Sequence, residues 1–159
     1  MWLEGVALER RLREMDDPAA LEQPTDFDEP RLAAKVDGFA ALLEKSFPGA
    51  VSVDDPWGWQ DSATFTQVTV GGAATRTTAN LVIATSQHGD LCFIALEAPG
   101  AYSREEFDAL VESEDVAAIA SALDALDFTV GPEDLLWARY DGPSPANPPN
   151  WQERYFGYP

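Results

Sequence analysis

Scarcity sets the first limits on this chain. It has one cysteine, Cys92, and one histidine, His88, and its 10 lysines and arginines face 28 aspartates and glutamates across 159 residues. A single thiol excludes an intramolecular disulfide and a zinc cluster built on several cysteines, and it suits a reducing, cytoplasmic setting. No apolar run is long enough for a membrane span. The N-terminal residues meet charge at Glu4 and again at Arg10, Arg11 and Arg13, which leaves no room for a secretory signal. The shortage of bases gives a formal charge of -18, which disfavours direct binding to nucleic acid or anionic lipid, since both require Lys and Arg to neutralise fixed negative charge. The partners such a field attracts are basic proteins; acidity that serves only solubility is the plainer alternative.

The lone histidine also limits nucleophilic chemistry. His88, Asp90 and Cys92 lie close in sequence, but His88 and Cys92 straddle an expected hairpin, and Cys92 opens a strand between Leu91 and Phe93, so a buried, inert thiol is expected. No G-x-S-x-G elbow is present. Gly71-Gly72 lacks the Gly-Lys-Ser/Thr ending of a phosphate loop, and neither Asp26, Asp28 and Glu29 nor Asp54 and Asp55 follow EF-hand spacing. No cofactor, metal or catalytic residue is therefore expected.

At 45% hydrophobic residues, the chain has enough apolar material for one sizeable core. Leu3, Val6, Ala7, Leu8 and Leu12 form a helical stripe within a short N-terminal helix at 1–21, limited by Pro18. A second helix is expected from about Pro30 to Ser46, with Leu32, Val36, Phe39 and Leu43 on one face and Asp28 or Glu29 as its cap. Then come four β-rich runs, Ala50–Val53, Ala63–Val70, Thr77–Thr85 and Leu91–Leu96, the last two joined by a hairpin in which Gly89 takes positive φ. The central pair is apolar on both faces, so helices are expected on one side and loops or a partner on part of the other. Ser103-Arg104-Glu105-Glu106 is a capping box, opening two helical stripes with a break near Ser113 to Asp115, which make either a helical hairpin or one bent helix. A short strand or turn is expected at Leu135–Tyr140. The whole of 1–159 reads as a single α+β domain, an antiparallel four-stranded meander packed against N- and C-terminal helices, with an aromatic tail at 140–159.

Two features stand out as sites for a partner. In Asp54-Asp55-Pro56-Trp57-Gly58-Trp59-Gln60-Asp61, two indoles two residues apart sit among three aspartates, the composition of an interface anchor with a steering rim. Between Arg104 and Arg139 there is no base at all, while acids crowd the stretch, among them Glu105, Asp108, Glu112, Glu114 and Asp115. A solvated helix ordinarily mixes its signs for i,i+4 pairs, and this stretch forgoes them for a field of one sign.

The C-terminal residues carry a further pattern: Tyr140-Asp141-Gly142, a Pro-rich spacer, then Trp151-Gln152-Glu153-Arg154-Tyr155-Phe156-Gly157-Tyr158. This tail resembles that of small uncharacterised bacterial proteins similar in style to immunity proteins of polymorphic toxin systems, although Gln152 stands where a second aromatic is expected. The resemblance covers about the last two dozen residues and implies a small cytoplasmic α+β protein that binds and neutralises a cognate toxin without catalysis. It assigns no functional residue. Physically, Trp151, Tyr155 and Phe156 on one helical turn would anchor the tail to the core, with Arg154 pairing an acid. The expectation is thus a non-enzymatic acidic protein that occludes a toxin with a basic surface, with no direct contact to nucleic acid or membrane. The rivals are a carboxylate enzyme, metal-assisted or not, with a pocket edged by Trp57 or Trp59, and a structural or adaptor subunit.

Overall fold

The computed structural model describes residues 1–20, 23–54 and 65–157. Helix α1 (Gly5–Met15) buries Leu8 and Leu12 and ends at Asp16, shorter than the 1–21 expected, because residues 1–3 run beside the sheet instead. Helix α2 (Glu29–Ser46) begins where Asp28 accepts a hydrogen bond from the Arg31 amide at 3.0 Å, and it buries the expected Leu32, Val36, Phe39 and Leu43.

Strands β1 (Val51–Asp54), β2 (Phe65–Val70), β3 (Leu81–Ser86) and β4 (Leu91–Leu96) form the antiparallel meander, paired in sequence order. Between β3 and β4 the expected tight reversal is present, with Gly89 and Asp90 at φ of 59° and 54°. Strand β3 starts four residues later than expected. Thr75 Oγ1 donates to the carbonyls of Gly72 and Ala79, and Thr78 takes a φ of 58°, so residues 75–80 close a turn where a run of threonines suggested extended chain.

Helix α3 (Arg104–Leu110) carries the full capping box, Ser103 and Glu106 each accepting from the other's amide. Helix α4 (Ser113–Asp124) follows, and the chain then enters β5 (Thr129–Val130), parallel to β4 with Leu91 opposite Thr129 and Cys92 opposite Val130. This corrects the expected four-stranded antiparallel sheet: the sheet is mixed and has five strands in the order β1-β2-β3-β4-β5. A strand of two residues has no alternation to reveal it, and Gly131-Pro132 directly after it reads as loop. Trp2 bridges Val130 on the far side of β5. Leu135–Tyr140, expected as a short strand or turn, forms no strand and takes a turn at Trp137. Helix α5 (Glu133–Leu136) occupies its start, and Arg139 makes an isolated bridge to Asn150 before helix α6 (Trp151–Phe156).

Both faces of the sheet are covered by the chain itself. Val68, Val70, Ile83, Cys92 and Ile94 pack under α2 and α4, where Phe39 meets Phe128 edge-on at 6.1 Å. On the opposite face, Val82, Ala84, Phe93 and Ala95 lie in a second core with residues of α1, α5 and α6, where Phe156 meets Phe93 at 4.7 Å. The cover expected from loops or a partner is therefore supplied by α1 and the aromatic tail. Gly142 is needed in that tail because a Cβ there would run into Asp16 Oδ2 and the Tyr140 hydroxyl. Among the described residues no helix is long and apolar enough to cross a membrane.

Candidate functional site

The described residues of the two sequence-derived sites do not fall together. Asp54 ends β1, exposed at one edge of the sheet, whereas α3 and α4 lead into β5 at the other. Asp55, Trp57, Trp59 and Asp61 lie outside the described residues. On α3, Glu105 and Asp108 are exposed, and Asp108 accepts from Arg104 Nε at 2.8 Å. Glu112, at the N-cap of α4, exposes its carboxylate while its amide donates to Thr77 Oγ1 at 3.0 Å. Glu114 is exposed and sits 3.4 Å from Arg76 Nη1.

Asp115 has another use. It is 3% exposed and accepts from the Arg76 amide at 3.2 Å, the Thr77 amide at 2.8 Å and Thr77 Oγ1 at 2.7 Å. Its charge is spent holding the 75–80 turn against the start of α4, which leaves Glu105, Asp108, Glu112 and Glu114 as the outward-facing part of the acidic set.

Behind α3 lies a cleft of about 260 Å³ that sequence reading did not find. Trp2, Tyr102, Phe107, Val111 and Pro132 give it apolar walls. The polar residues lining it include Arg104, Asp108 and Glu133. Glu4 takes a hydrogen bond from Trp2 Nε1 at 2.8 Å and lies 3.9 Å from Arg104 Nη2, so Arg104 is held between Glu4 and Asp108. The Asp108 bond raises the guanidinium's proton affinity above its ordinary value. Glu133 accepts from the Gly100 amide and from Trp137 Nε1, and burial holds its carboxyl above the usual range.

Large aromatic side chains exposed to solvent gather here. Trp2 and Tyr102 line the cleft at 37% and 38% exposure, and Trp137, bonded to the lining Glu133, is 43% exposed. Among the described residues these are the three exposed aromatics. One signal in the sequence pointed to this wall: Tyr102 and Phe107 stand at the two positions of a hydrophobic staple around the Ser103 cap. Trp2 and Glu133 reach the cleft only through the parallel β5 and the turn after it, which no local pattern announced.

His88 and Cys92 lie apart. Cys92 is fully buried on the α2 side of the sheet, where burial drives its thiol well above the ordinary range. His88 is buried on the other side, its ring 5.3 Å from that of Tyr155, and neither ring nitrogen has a hydrogen-bond partner among the described residues. Among the described residues no three His, Cys, Asp or Glu side chains come together in a way that could hold a metal ion.

Compared with known proteins, the chain matches no family model, no curated protein and no solved structure.

Proposed function

We propose that this chain is a non-enzymatic binding protein that docks a basic protein partner on the face made by α3, the start of α4 and the cleft behind them. The observation that carries this reading is a cleft flanked by acids and lined by the half-exposed Trp2 and Tyr102, with the exposed Trp137 bonded to its Glu133. Aromatic side chains anchor interfaces because they bury large area at low entropic cost, while acids around them raise the encounter rate of a basic partner. Glu105 and Glu112 serve that second role, and Arg104, held by Glu4 and Asp108, fixes the wall. With the tail's resemblance to immunity proteins, the partner is a bacterial toxin, and the effect is occlusion of its working surface in the cytoplasm. A stable complex of this kind covers about 800 Å² on each partner, far more than the cleft alone, so the outer acids of α3 and α4 belong to the same footprint.

The test uses the protein encoded by the adjacent reading frame as the candidate partner, with association and dissociation rates measured between about 0.05 and 0.5 M salt. Glu112→Arg is expected to slow association several-fold at low salt and to converge with the parent at high salt, whereas Trp137→Ala is expected to speed dissociation. Association indifferent to salt and to both substitutions would end this reading.

A second reading, carboxylate chemistry on a small molecule, draws support from Glu133, whose raised proton affinity in a concave site is what a general acid needs. Turnover of a small substrate that is lost in Glu133→Gln, with partner binding unchanged, would favour it.

A further inference from the structure

The cleft contains an imbalance that its own residues leave unresolved. Arg104 is matched by Asp108 at 2.8 Å and by Glu4 at 3.9 Å. Glu133 is half-buried, yet its partners are an amide and an indole N–H, both neutral, and among the described residues no base lies within ion-pair distance of it. A carboxylate withdrawn from water without a counter-charge is costly, and the cost falls when a cation arrives. Beside it are exposed aromatic faces, to which a weakly hydrated planar cation is attracted. At about 260 Å³ the space falls below the range of about 300–1,000 Å³ usual for small-molecule sites, which suits one side chain better than a whole cofactor.

We propose that this cleft receives a single arginine side chain from the partner, its guanidinium lying among Trp2, Tyr102 and Phe107 and paired with Glu133. The assignment rests on the docking reading above and names its anchor. Arginine is favoured over lysine because its planar fork stacks on rings and bonds a carboxylate through two N–H groups, and because it sheds water more readily. Burial raises the proton affinity of Glu133, and an incoming guanidinium opposes that shift by favouring the charged carboxylate.

The experiment titrates the isotopically labelled full chain with the capped tripeptide Ala-Arg-Ala, and with the same peptide carrying lysine or the neutral isostere citrulline. The indole N–H signals of Trp2 and Trp137 are followed. The expected result is a saturable shift of both indoles by the arginine peptide, with citrulline weaker by about tenfold or more and lysine intermediate. Glu133→Gln keeps an acceptor for Gly100 and Trp137 and is expected to remove the preference for arginine over citrulline. Should that variant fold poorly, Tyr102→Ala, at an exposed position, is expected to weaken the arginine peptide several-fold. Equal binding of arginine and citrulline, or shifts spread over the acidic surface without saturation at the indoles, would overturn the proposal. A toxin complex of unchanged affinity in Glu133→Gln would also overturn it and leave the docking reading standing. Selective arginine binding by a chain that associates with no toxin would remove that reading and keep the cleft's assignment.

Discussion

Asp16 at the end of α1 and Arg154 in α6 meet as a buried ion pair across 138 residues of sequence, with Arg154 Nε 2.8 Å from Asp16 Oδ1 and side-chain exposures of 2% and 0%. Neighbouring groups support the pair. Tyr140 donates its hydroxyl to Asp16 Oδ2, and Arg154 Nη2 donates to the carbonyls of Asp17 and Ala20, each at 3.0 Å. A pair of this kind gives little net stability against an apolar substitute, but loss of one member strands the other without solvent. Asp16→Ala is therefore expected to cost about 3–5 kcal/mol in urea unfolding, and Asp16→Leu combined with Arg154→Met much less than the sum of the two singles. A loss below about 1 kcal/mol for Asp16→Ala would show that the aromatic contacts alone hold the tail down.

Asp115 and Glu114 are neighbours in sequence with opposite expected behaviour. Asp115 is 3% exposed with three donors directed at it, whereas Glu114 makes one exposed ion pair with Arg76. Asp115→Ala leaves two amides of the 75–80 turn unpaired and is expected to destabilise by about 2–3 kcal/mol. Glu114→Ala is expected to cost less than about 1 kcal/mol. Thermal unfolding of both variants checks this, and a Glu114 effect as large as that of Asp115 would contradict the division between inward and outward acids.

Cys92 faces the α2 core with no exposure, and burial pushes its thiol up. Modification by a thiol-specific reagent is expected to be negligible in the native protein at neutral pH and rapid after unfolding in denaturant, because the thiolate is the reactive species. Rapid native labelling would mean that this part of the sheet opens far below global unfolding.

How far each element was legible follows from how local its cause is. The capping box at Ser103 and the stripe of α2 are set by residues within one or two turns, and both were readable. Arg154 pairing an acid was readable as chemistry, since a guanidinium within Trp-x-x-Arg-Tyr-Phe must find a partner once the rings are buried. That the partner is Asp16 depends on α1 packing on the same sheet face, which no local pattern encodes. Strand β5 was hidden for the same reason: two residues acquire extended pairing only because β4 offers its edge. The cleft inherits this non-locality, its walls coming from the N-terminus, α3 and the turn after β5. Asp115 shows the converse limit, since composition cannot tell a carboxylate that caps a turn from one that faces a partner.

His88 is the one histidine, and its environment makes a prediction of definite sign. Burial lowers its pKa from the usual 6.5 to about 4, helped by the Arg154 charge and opposed by Asp16. Between those two values the unfolded chain binds a proton that the folded chain refuses, so stability rises with pH across that window and is lost as pH falls through it. A shift of this size corresponds to roughly 3 kcal/mol. The many carboxylates respond to pH as well, and the -18 formal charge is relieved on acidification, so the raw pH profile of the parent mixes these effects. The informative quantity is the difference between the parent and His88→Leu in urea unfolding at about pH 7.5 and pH 4, in which the shared carboxylates cancel. The parent is expected to lose roughly 3 kcal/mol more than the variant on moving to the lower pH. A parallel decline of the two proteins would mean that the imidazole finds a partner or water when protonated, and that its burial against Tyr155 does not exclude the charged form.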